Sequence, residues 1–114
     1  MRGKGVYSDY IDDILNAIAS IKNFVEGVDF DHFLSDEKTN YAVIRALEII
    51  GEASSKIPPE VREKYSDIPW KEIIGMRNKL IHEYAGVDLK VVWDTIEKDI
   101  FLVKEKIEKM KQNF

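Results

Sequence analysis

Apolar residues recur every three or four positions through four separate stretches of this chain, and no segment alternates every two with turn residues at its ends. That spacing lines one side of an α-helix and offers no face to a strand. It restricts the fold to helices packed on helices.

The first stretch runs through Ile11, Ile14, Leu15, Ile18, Phe24 and Val25. Ser8 is placed to cap it, with Asp9 and Asp12 in the first turn, where the helix dipole favours anions. Gly27 is placed to end it. Residues 28–34 read as a loop or a single turn that tucks Phe30 and Phe33 inward. Ser35, followed by Asp36 and Glu37, is expected to open a second helix with the stripe Val43, Ile44, Leu47, Ile50 and Ile57. Ala42, Ala46, Gly51, Ala53, Ser54 and Ser55 lie along it and are small enough for another helix to approach closely. Ile57-Pro58-Pro59 stops it, because a residue before proline avoids the α region. After one short turn at 59–64, Asp67-Ile68-Pro69 announces a third helix carrying Trp70, Ile73, Ile74, Leu80 and Ile81, with a stop at Ala85-Gly86. Asp88 begins or caps the last, which carries Val91, Val92, Ile96, Ile100, Phe101, Val103, Ile107 and Met110. The expected fold is all-α: an up-and-down bundle of four to five helices in one domain over 1–114.

The chain has 114 residues, no cysteine and two histidines, His32 and His82. Thiol nucleophiles, disulfide frameworks and cysteine-ligated metals are excluded. A multi-histidine metal cage within one chain is not expected. The net charge of −4 speaks against a protein that coats nucleic acid, while leaving room for a local basic pocket. The N-terminus shows no signal-peptide pattern and no run of about 20 apolar residues occurs, so a cytoplasmic protein without membrane contact is expected.

The densest polar cluster is Arg77-Asn78-Lys79-Leu80-Ile81-His82-Glu83-Tyr84, at the end of the third long stretch. At about 100° per residue, Asn78 and His82 lie about 40° apart and one turn from each other. Asn78 is thus placed to hydrogen-bond the imidazole and fix its tautomer. Arg77 and His82 are separated by about 140°. Either the helix ends or bends near His82, or the arginine meets a histidine from a second copy of the chain. Imidazoles can take up and return a proton near neutral pH. A guanidinium grips phosphate and stabilises charge building on it. RNA carries its own nucleophile, the 2′-hydroxyl, so this set suffices for strand cleavage with no metal and no cofactor, on RNA and not DNA.

The same eight residues match the R-x4-H-x-Y motif of HepT-like proteins, a branch of the HEPN superfamily. The stretches Val43-Ile44-Arg45-Ala46-Leu47-Glu48-Ile49-Ile50-Gly51-Glu52-Ala53, Ile68-Pro69-Trp70-Lys71-Glu72-Ile73-Ile74-Gly75-Met76 and Val87-Asp88-Leu89-Lys90-Val91-Val92-Trp93 also resemble that family. The resemblance implies a homodimeric helical bundle acting as a metal-independent RNA endonuclease. It would be the toxin of a toxin–antitoxin pair, with the motif residues gathered in a cleft between protomers. It implies catalytic roles for Arg77 and His82, with Asn78 in the polar position after the arginine. Tyr84 matches the tyrosine that a partner minimal nucleotidyltransferase, the antitoxin, modifies with AMP.

Lys79, Arg45 and Lys56 are candidates to line a path for RNA phosphates. Glu52, if buried, needs a partner, and Arg77 is the candidate. Asp29-Phe30-Asp31-His32 reads as an exposed polar turn, since it lacks a fourth ligand for a metal. Trp70 and Trp93 sit at core spacing and are expected to pack rather than stack on bases. Residues 104–111, with alternating charges, read as a solvated face. The alternative to the enzyme is a non-catalytic subunit that only binds a nucleotidyltransferase, a reading the negative charge favours. A third is a helical dimerisation module with no ligand.

Overall fold

A computed structural model describes residues 7–83 and 86–113, and these are helical without a strand. The elements are α1 (Ser8–Val25), α2 (Phe30–Ser35), α3 (Glu37–Ser55), α4 (Pro59–Lys64), α5 (Trp70–His82), α6 (Leu89–Asp94), a π-helical segment (Thr95–Asp99) and α7 (Ile100–Gln112). The central element is α3, which packs against α1 on one side and α5 on another. Helix α7 closes on α1, where Lys111 Nζ lies 2.7 Å from Asp12 Oδ1.

The core follows the sequence periodicity. Ile11, Ile14, Ile18 and Ile21 from α1 meet Val43, Leu47 and Ile50 from α3. Val92, Ile96, Ile100, Val103 and Ile107 come from the C-terminal rod. Both tryptophans pack inward. Trp93 lies against Phe30 and Phe33, with ring centroids 6.0 and 5.1 Å away. Trp70 is buried and its Nε1 donates to the carbonyls of Arg62 and Tyr65, both at 3.1 Å.

The expected boundaries shift at several points for identifiable reasons. Ser8 is the first helical residue of α1 rather than its cap. The flanking residue is Tyr7, with no side-chain cap bond. Gly27 does follow the helix end, with a φ of +73°, a conformation other residues rarely adopt. Residues 28–34 supply most of a helix rather than a loop, because Asp29 accepts from the His32 backbone N–H at 2.9 Å and from its Nδ1 at 2.7 Å. Those two bonds hold the Asp29 carboxyl below its ordinary range, the backbone donor contributing most. The polar pair read as an exposed turn is thus a helix cap. Ser35 ends α2, and Asp36 opens α3 by accepting from the Thr39 hydroxyl at 2.6 Å and its N–H at 3.2 Å. The hydroxyl bond leads in pulling the Asp36 carboxyl down as well. Asp88 caps α6 as expected, accepting from the N–H groups of Lys90 and Val91.

The π segment has no signature in the local composition, but the spacing explains it. Val92, Ile96 and Ile100 advance by two four-residue steps. Each such step overshoots a straight α-helix by about 40°. A wider π turn absorbs the drift and keeps all three inward. Phe24, Ile81, Val91 and Phe101, which the stripe placed inside, are exposed instead.

Among the described residues, no helix is long and apolar enough to cross a membrane.

Candidate functional site

The motif helix α5 is set against α3 by one glycine. A Cβ at Gly51 would fall on the Cβ of Arg77, with its Cγ at 2.9 Å and the Ile73 carbonyl oxygen at 3.1 Å. With no side chain at Gly51, the two backbones come together at the root of the arginine. The sequence marks Gly51 only as one small residue among several. Its distinguishing feature is that the arginine of the motif sits across from it.

Arg77 therefore starts from the contact between α3 and α5. Its side chain is 21% exposed, and its Nε is buried with no acceptor among the described residues. The guanidinium reaches Glu52, with Nη1 donating to Oε1 at 3.0 Å. The partner suggested by the sequence is the one it meets, although Glu52 itself is half-exposed. The second carboxylate oxygen lies 3.6 Å from Nζ of Lys56, the residue that caps the C-terminal end of α3.

His82 is the last residue of α5 and is exposed. The helix ends there, as one of the two expectations required. Even so, one chain does not bring Arg77 and His82 together: the arginine turns to Glu52, and the imidazole makes no hydrogen bond to a described residue. Asn78 is exposed, and the expected hydrogen bond between it and His82 is not made. Tyr84 lies outside the described residues.

Asn78, Lys79 and Arg45 line three separate depressions. Asn78 borders an open groove between α4 and α5. Lys79 borders one between α5 and α6. Arg45 borders a groove of about 440 Å³ between α1, α3 and the Ile81 side of α5, together with Glu48, Glu52 and Lys56. This last groove adjoins the Arg77–Glu52 pair. Arg45 is largely exposed and lies 3.4 Å from Glu48 Oε1. An apolar groove of about 470 Å³ opens on the far side of α5, over Leu47, Ile50, Ile73 and Met76. Among the described residues, no three His, Cys, Asp or Glu side chains gather as they would around a metal.

Chemically, the arrangement offers a guanidinium at the surface end of a buried stem and a solvent-facing imidazole at the end of the same helix. The first suits a phosphate and the second suits proton transfer.

A family model described as ribonuclease HepT-like matches residues 14–110. The "Probable ribonuclease HepT" of Thermococcus cleftensis is 49% identical over 109 residues, covering 96% of this chain and 99% of that protein. A "Putative RNase" of Methanocaldococcus jannaschii is 48% identical over 101 residues, covering 89% and 87%. A "Putative RNase" of Caldanaerobacter subterraneus subsp. tengcongensis is 44% identical over 103 residues, covering 90% and 92%. No solved structure matches the chain with significance.

Proposed function

The chain belongs to the ribonuclease HepT-like family, and from that membership we propose that it is a metal-independent RNA endonuclease of the HEPN type. In this reading it acts as a homodimer, the toxin partner of a minimal nucleotidyltransferase antitoxin. The observation that carries the site is the divergence of Arg77 and His82 on α5. The arginine is committed to the α3 side while the imidazole faces solvent at the helix end. A two-fold partner supplies the missing half, so that the arginine of one copy faces the histidine of the other.

In that shared cleft, a neutral His82 takes the proton from the 2′-hydroxyl. The freed oxygen attacks the adjacent phosphorus, and the bond to the 5′-oxygen breaks. The imidazolium so formed returns that proton to the 5′-oxygen as it leaves, so each cleft needs one histidine and one arginine. Arg77 holds the phosphate oxygens and meets the charge that builds on them. The products are a 2′,3′-cyclic phosphate and a 5′-hydroxyl. Asn78 orients the imidazole once the cleft forms. Lys79 and Arg45 contact neighbouring phosphates. AMP on Tyr84 would add negative charge and bulk beside the motif, competing with RNA for the arginine.

Purified protein is expected to cleave RNA in excess EDTA and to leave cyclic phosphate ends, read by end-labelling and phosphatase sensitivity. Cleavage that stops with EDTA, or that leaves 5′-phosphates, would sink this chemistry. The second reading, a non-catalytic subunit that binds a nucleotidyltransferase, draws on the net charge of −4 and the apolar groove beside α5. Expression without the nucleotidyltransferase separates the two: growth arrest that needs Arg77 and His82 supports the toxin, and harmless expression supports the subunit.

A further inference from the structure

Glu52 is the group this chain sets against Arg77, and the pair is built to exchange. Gly51 lets α3 come up to the Cβ and Cγ of Arg77, so the side chain starts from the contact between the two helices. There it meets a carboxylate oxygen at 3.0 Å. Carboxylate and phosphate present the same paired oxygens to a guanidinium fork. The carboxylate is 51% exposed, so water can solvate it as it leaves. Lys56, 3.6 Å away on the same helix face, gives it a second cation to rest on.

We propose that Glu52 is a positioning residue that holds Arg77 where the RNA phosphate will sit and passes to Lys56 when the phosphate arrives. The proposal rests on Arg77 contacting RNA, as argued above. This also accounts for a negative chain handling RNA. The arginine's charge is masked until a phosphate displaces the mask, which limits loose binding elsewhere.

The two functions of the carboxylate, aiming and competing, separate by substitution. Glu52→Gln keeps an oxygen that accepts from the guanidinium but removes the charge. Its KM for RNA in EDTA is expected to fall about three- to tenfold with kcat within about twofold of the parent. Glu52→Ala removes both, so KM falls and kcat falls by about tenfold or more. A 2′-O-methyl RNA oligonucleotide, which lacks the nucleophile, should bind more tightly to Glu52→Gln by the same factor as the fall in KM. That gain should vanish in Glu52→Gln/Arg77→Ala, compared with Arg77→Ala. Circular dichroism melts confirm folding of each variant. Unchanged KM and unchanged 2′-O-methyl RNA affinity in Glu52→Gln would overturn the proposal. So would a gain that persists without Arg77. If the parent does not cleave RNA but the Arg77-dependent gain in binding appears, the catalytic reading falls and this one stands. If cleavage is normal and the gain is absent, the reverse holds.

Discussion

Replacing His82 by alanine removes RNA cleavage, with kcat/KM falling by about 10²–10⁴-fold, the range spanned by a general acid–base group. The fold survives the change. His82 is the last residue of α5, faces solvent and makes no hydrogen bond to a described residue. Its favourable position at a helix C-terminus is worth only a few tenths of a kcal/mol at such exposure. A thermal melt should therefore superimpose closely on the parent's while activity disappears. No other described side chain substitutes. The second histidine, His32, is occupied as part of the α2 cap with Asp29. A His82→Ala protein that cleaves RNA as well as the parent would remove the catalytic assignment altogether.

Gly51→Ala is expected to damage stability and activity together. The added methyl meets the Cβ of Arg77 and the Ile73 carbonyl, both close to the backbone of α5, rather than the far end of a flexible chain. Rotamer changes cannot relieve that contact, so the helices must part. Overpacking of this sort costs about 1–3 kcal/mol and sometimes more, and urea midpoints would record it. The arginine stem moves with α5, and a displacement of about 1 Å at a catalytic group can cost about 100-fold in rate. Gly75 on the same α5 provides the contrast. It is exposed, and a Cβ there meets nothing within 4 Å. Gly75→Ala should instead stabilise the helix by about 0.5–1 kcal/mol. If both alanines behave alike, the close approach at Gly51 does not set the arginine.

These two residues also mark what a one-dimensional reading holds. The apolar spacing is sufficient to place the long helices and most of their inward residues, from Ile11 on α1 to Met110 on α7, because a 3.6-residue period is a local property. The caps are less legible: Asp36 rather than Ser35 opens α3 because its carboxylate takes two donors from Thr39, and Asp29 caps α2 by taking two from His32, both of which depend on the geometry of the turn. The π segment is hidden for a related reason. Its cause is the need to keep Val92, Ile96 and Ile100 on one face, and that appears only when the whole stripe is laid against the core. At the site, the Arg77–Glu52 pair, 25 positions apart, forms as the sequence suggests, although the burial of Glu52 expected to require it is absent: the side chain is 51% exposed. The approach of the two helices at Gly51 has no signal of its own in the sequence, because it depends on which residue of α5 lies opposite. The divergence of Arg77 and His82 was readable from their five-residue separation, and α5 realises it without joining them.

That divergence makes one mixing experiment decisive. Arg77→Ala and His82→Ala are each expected to be inactive alone. When the two are mixed and allowed to exchange subunits, each mixed dimer regains one cleft with an intact arginine from one chain and an intact histidine from the other. Activity should return to about a quarter of the parent's, since about half the dimers are mixed and each holds one working pair. A mixture that stays as inactive as its components, under conditions where the parent cleaves and subunit exchange is verified, would contradict a site shared across the two-fold axis.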